Sequence, residues 1–160
     1  MRILVLYDTS FGNTESVARA IATALAPRGS VEIHAVADAP SLDRATVDLL
    51  LVGGPTQRHG ASEALGAWFQ GLPRDALKDV PAATFDTRYR IAKLVSGSAA
   101  EAANRWLRRA GCRLIAPPES FFIERDAPPD GEKRRHQLEH LEAGELERAA
   151  EWARGLPGAA

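Results

Sequence analysis

The segment from Asp8 to Thr14, DTSFGNT, gathers small polar groups in one short stretch. Thr9, Ser10 and Thr14 carry hydroxyls, Asn13 carries an amide, and Gly12 allows the backbone to approach a ligand closely. Successive backbone N–H groups in such a loop can form an anion nest, and a helix starting at its end adds a partial positive charge. The loop contains no Lys or Arg. Neutral hydroxyls and amides suit one terminal phosphate monoester better than a magnesium-bound triphosphate. Neither a Walker lysine nor a G-x-G-x-x-G pattern is present. His136 and His140 stand four apart, with Glu139 and Glu142 beside them, a spacing that on a helix could hold a metal. The sequence there is HQLEH rather than HExxH and is densely charged, so a solvated helix face is expected. Cys112 opens an apolar run and is expected to be a small core residue. No Ser-His-Asp arrangement is legible.

The elements that must position this loop are short apolar runs alternating with helical patterns. Ile3 to Tyr7 (ILVLY) predicts a strand buried on both faces of a parallel sheet. Thr14 to Ala26 predicts a helix, because Val17, Ala18, Ile21, Ala22 and Leu25 share one face; Pro27 and Gly29 end it. Val31 to Val36 and Val47 to Val52 predict the second and third strands. Ser62 to Gln70 predicts a helix with Ser62 as N-cap, and Pro81 to Phe85 a fourth strand. Ser98 to Ala110 predicts a helix closed by Gly111. Cys112 to Ile115 predicts a fifth strand, interrupted by Pro117-Pro118 and resumed at Ser120 to Ile123. The stretch from about Lys133 to Arg154 reads as a charged amphipathic helix, broken near Gly144. Alternating strands and helices imply an α/β domain with a parallel sheet and right-handed crossovers. Ligands of such sheets bind at the carboxyl ends of the strands, where the first loop lies.

Composition narrows the function further. The chain has 160 residues, 20 Lys and Arg against 21 Asp and Glu, and a net charge of −1. That length suits one domain, and that balance argues against a nucleic-acid coat. A single cysteine excludes an intramolecular disulfide and a cysteine-based zinc finger. No apolar run approaches the roughly 20 residues of a membrane span. The N-terminus, MRILVLYD, does not read as a signal peptide, so a cytoplasmic location is expected.

The first strand and loop carry a resemblance. Val5, Leu6 and Tyr7, followed by Thr9, Gly12, Thr14, Ala18 and Ile21, fall without gaps at the phosphate-loop positions of the flavodoxin family. The resemblance runs from about residue 2 to 125. It implies a single flavodoxin-like domain over 1–160: a three-layer α/β/α sandwich on a five-stranded parallel sheet. The implied strand order, 2-1-3-4-5 with FMN at the switch point, is the order known for flavodoxin itself. Thr9, Ser10, Phe11, Gly12, Asn13 and Thr14 would hold the FMN phosphate. The GGPTQRHG segment would line one edge of the flavin ring through Pro55, Thr56, Gln57, Arg58, His59 and Gly60. The DTRYR segment would line the other through Asp86, Thr87, Arg88 and Tyr89, with Tyr89 stacking on the ring. Cys112 to Ile123 lacks a long insertion, which resembles the short-chain members.

Two departures accompany the resemblance. No aromatic stands near Gln57, where many flavodoxins place Trp. Arg58 stands where many have a Gly whose peptide flips beside flavin N5, and a non-Gly residue makes positive φ costly there. Arg58, His59, Arg88 and Arg90 also give the flavin loops a basic rim, which suggests an anionic partner. The resemblance implies electron transfer to a redox partner protein through noncovalent FMN. Alternatives are an FMN-dependent NAD(P)H/quinone or porphyrinogen oxidoreductase taking a small anionic or flat substrate at the flavin edge, or an FMN-free interaction module.

Overall fold

The computed structural model describes residues 1–42, 45–57, 60–126 and 139–158. Its sheet contains β1 (Arg2–Tyr7), β2 (Ser30–Ala35), β3 (Leu49–Pro55), β4 (Pro81–Tyr89), β5 (Arg113–Leu114), β6 (Glu119–Arg125) and β7 (Glu139–Leu141). The order is β2-β1-β3-β4-β6-β7, with β5 paired to the start of β4. Every pairing is parallel except β6 with β7. The expected order 2-1-3-4-5 is therefore present in seven strands rather than five. Two departures account for the difference. Pro117 and Pro118 have no N–H to give to a ladder, so the fifth strand splits: β5 pairs Pro81–Ala82, and β6 pairs Phe85–Tyr89. The chain then adds β7, where the sequence predicts helix.

The helices are α1 (Asn13–Leu25), α2 (Glu63–Gln70), the single turn α3 (Lys93–Ser96), α4 (Ala99–Arg109) and α5 (Glu145–Gly155). Period two along β1 divides its side chains between two cores. Ile3 and Val5 pack with Val17, Ile21 and Leu25 of α1 and Ala149 and Ala153 of α5. Leu4 and Leu6 pack with Leu65 and Phe69 of α2 and Ala103 and Leu107 of α4. Helices thus cover both faces of the sheet. Each fully buried leucine or isoleucine contributes about 2 kcal/mol. Gly53 makes room for its cross-strand neighbour: a Cβ there would lie 2.1 Å from Cε2 of Phe85 on β4.

Cys112 is buried in the second core, as expected, and desolvation pushes its thiol up to about 12. The thiolate is the reactive form. Native protein at mildly alkaline pH should therefore react with a thiol-specific reagent far more slowly than unfolded protein. Rapid stoichiometric labelling of the native chain would contradict this burial. Among the described residues, no helix is long and apolar enough to cross a membrane.

Candidate functional site

The carboxyl ends of β1, β3 and β4 converge on a cavity of about 330 Å³, within the roughly 300–1,000 Å³ of small-molecule sites. Its first wall is the loop between β1 and α1, where Thr9, Ser10, Phe11, Asn13 and Thr14 line the cavity. Gly12 takes the left-handed conformation, φ 85°, that opens α1, and its N–H donates to Thr9 Oγ1 at 2.9 Å. A Cβ at Gly12 would meet nothing within 4 Å, so the backbone turn, not crowding, calls for glycine. Thr14 is buried, and its hydroxyl lies 2.7 Å from that of Thr87.

The second wall is the end of β3: Pro55, Thr56 and Gln57. Gln57 Nε2 donates to Ser10 Oγ at 2.5 Å, joining the two walls. Gln57 also exchanges backbone hydrogen bonds with Gly60 at 2.7 and 2.8 Å. The expectations placed on Arg58 and His59 lie outside the described residues, as does that on His136.

The third wall corrects the sequence reading. Pro81 to Phe85 predicts only the start of β4; the strand runs on through Tyr89. The DTRYR residues therefore alternate between faces of the sheet instead of sharing one loop. Thr87 and Tyr89 line the cavity. Asp86 and Arg88 are buried and bond to groups beneath α3 and α4. Asp86 Oδ2 accepts from Ser98 Oγ at 2.6 Å, from the Ala100 N–H at 3.1 Å and from Thr56 Oγ1 at 3.1 Å. Arg88 donates to Ser120 Oγ, the Ile91 carbonyl and Ser96 Oγ. Arg90 pairs with Glu142 at 2.7 Å. The basic rim thus loses Arg88 to the interior and the unshared charge of Arg90 to Glu142.

Three further residues line the cavity that sequence reasoning missed: Ile123, Arg125 and Glu139. Ile123 and Arg125 alternate along β6, and the resumed strand at Ser120 to Ile123 could have signalled them. Glu139 lies in a charged run that reads as helix, and its strand register is set by pairing with Arg125. Glu139 Oε1 accepts from Tyr89 Oη at 2.5 Å and from Arg125 Nη2 at 2.7 Å. Burial first, then the bond to Glu139, push the Tyr89 phenol up to about 12. His140, expected on a helix face, lies in β7 and pairs with Asp126 at 2.9 Å. Among the described residues no cluster of His, Cys, Asp or Glu could hold a metal.

The N-termini of α1 and α4 both follow strands that end on this side of the sheet, and the chain treats them differently. At α4, the amides of Ala99, Ala100 and Glu101 are each taken by a side chain: Thr56 Oγ1, Asp86 Oδ2 and Ser98 Oγ. At α1, among the described residues, no side chain caps the first turn. Those amides have no intrahelical acceptor, and they adjoin the hydroxyls of the cavity. At α4 the side chains occupy the amides that an anion would use; at α1 the first-turn amides lack such side-chain partners among the described residues.

No family model matches the sequence, and no curated protein matches it. Solved structures do. Oxidised flavodoxin 1 from Bacillus cereus superposes with a TM-score of 0.70 at 15% identity, over 96% of this chain and 95% of that one. A flavodoxin from the domain Archaea gives 0.68 at 15% identity, over 96% and 94%. The fold is the flavodoxin fold. The same flavodoxin-like unit matches part of a larger protein, the flavodiiron protein from Giardia intestinalis, with a TM-score of 0.70 at 15% identity over 97% of this chain and 35% of that one.

Proposed function

We propose that this flavodoxin-like chain binds one FMN noncovalently and transfers electrons through it. The observation that carries this reading is the uncapped N-terminus of α1 beside Thr9, Ser10 and Thr14, in a cavity that continues to Tyr89. The donor set fits the cofactor. Amides and hydroxyls without Lys or Arg suit a single terminal phosphate, and the cavity continues to an aromatic side chain suited to a flat ring. Ser10, Asn13 and Thr14 would hold the phosphate with the α1 amides. Thr56 and Gln57 would meet one edge of the ring, and Tyr89 would stack on it. Asp86 and Arg88 take no part in this reading except through the residues they brace. The cofactor, when bound, supplies reversible one- and two-electron redox chemistry. The protein's share is to orient the ring, exclude water from it and leave an edge accessible.

One observation favours a second reading. Gln57, not an aromatic, stands on the wall made by the end of β3, so one ring face would lie uncovered and could accept a flat substrate. Turnover separates the two. A carrier loaded with FMN and chemically reduced passes its electrons once to an acceptor protein such as a cytochrome. Sustained oxidation of NAD(P)H by a quinone, with no reductase added, would favour the oxidoreductase and contradict the carrier.

A further inference from the structure

We infer that Glu139 is a positioning residue for the ring end of the cavity, acting through Tyr89; this rests on the flavin reading above. Glu139 reaches the site on β7, a strand added beyond the five expected for the fold. Its carboxylate is the common acceptor for Tyr89 Oη at 2.5 Å and for Arg125 Nη2 and Nε at 2.7 and 3.3 Å. The Arg125 guanidinium carbon also lies 5.1 Å from the centre of the Tyr89 ring. Tyr89 is thus held at its hydroxyl by a carboxylate and on one side of its ring by a cation.

The exposures show which partner belongs to the interior. The Glu139 side chain is 14% exposed and that of Arg125 52%. The carboxylate sits inside the cavity wall, and the cation that balances it sits on the lip. The backbone of Glu139 makes a separate tie: its carbonyl accepts from Asn13 Nδ2 at 3.2 Å. One residue therefore touches both the phosphate loop and the aromatic side chain. β7 is itself fastened to β6 by the Glu142 N–H donating to the Phe122 carbonyl at 2.9 Å.

This arrangement has a definite consequence for affinity. A tyrosine free to change rotamer must be immobilised when a flat ligand packs on it. Holding it beforehand removes that cost, worth up to about tenfold for one side chain. Glu139 would contribute to binding without contact with the ring.

The test uses four variants, with FMN affinity and the fluorescence and visible circular dichroism of bound FMN as readouts. Glu139→Ala is expected to weaken FMN about tenfold and to reduce the quenching of flavin fluorescence. Tyr89→Phe, which keeps the ring and removes the hydroxyl, is expected to do the same. The double variant should lose no more than Glu139→Ala alone, because the bond that Tyr89→Phe removes is already gone in Glu139→Ala. Glu139→Gln keeps an acceptor oxygen for Tyr89 and should recover most of the affinity and quenching. A purely structural role for Glu139 would move the thermal midpoint and leave the spectra alone. If Glu139→Ala does not fold, Tyr89→Phe carries the test. Wild-type protein that fails to retain FMN overturns the cofactor reading together with this one. Wild-type protein that retains FMN, while Glu139→Ala binds and quenches unchanged or the two losses add, overturns this inference alone.

Discussion

Replacing Ser10 with Asp is expected to weaken FMN binding about a hundredfold while leaving riboflavin binding and thermal stability nearly unchanged. Ser10 is exposed at the cavity wall, and surface substitutions of this kind usually change stability by no more than about 0.5 kcal/mol. An acid close to a helix N-terminus is itself mildly stabilising. The same carboxylate would face the phosphate. Two unit charges about 5 Å apart at an effective dielectric of about 20 repel by about 3 kcal/mol, which is roughly a hundredfold in affinity. Riboflavin has no phosphate and escapes this term. The contrast between the two ligands, measured by titrating flavin fluorescence, reads the phosphate site apart from the ring site. Equal losses for both would place the phosphate elsewhere. Added salt should narrow the gap, since exposed charges are screened.

The largest expected effect on stability comes from Asp86→Ala. Its carboxylate is fully buried and accepts from Ser98, the Ala100 N–H and Thr56. Removing it leaves the buried Ser98 hydroxyl, the Ala100 amide and the half-buried Thr56 hydroxyl without their acceptor. Hydrogen bonds to charged groups are worth about 1.5–3 kcal/mol, and buried orphans add their own desolvation cost. A net loss of about 3 kcal/mol, or roughly 10 °C in Tm for a chain of this size, is expected. Asp86→Asn should cost less. It keeps one acceptor oxygen and places its amide where Asp86 Oδ1 has no partner among the described residues. Thermal unfolding of both variants checks this. Equal, small shifts would mean that the α4 N-terminus does not depend on this carboxylate. FMN affinity should fall only modestly in either variant, because Asp86 reaches the cavity solely through Thr56.

Most of the architecture was legible from periodicity. The buried run at Ile3 to Tyr7, the apolar face of α1, the Ser62 cap and the Pro-Pro break in the fifth strand all follow from local rules, and each falls within a residue or two of its expected bounds. The cavity-lining loop between β1 and α1 was legible because its residues are contiguous: a gap-free segment between a strand and a helix positions its own groups. The third wall was not, because the turn-like composition of DTRYR hides a strand. Once β4 extends to Tyr89, period two sends Asp86 and Arg88 to one face and Thr87 and Tyr89 to the other. A strand reading of that segment would have separated them. β7 was illegible for a different reason. Its three residues carry no strand pattern, and their conformation is fixed by pairing with β6 and by the ions of Arg125 and Asp126. Such long-range terms override a local helical preference.

The most direct test of the central claim is the visible absorption spectrum of the purified protein after incubation with excess FMN and removal of unbound flavin. The account predicts flavin bands that travel with the protein, in a ratio near one per chain, and release FMN on denaturation. Protein that emerges colourless at micromolar concentration would contradict it, and would leave an interaction module whose first loop is a relic or holds another phosphorylated ligand.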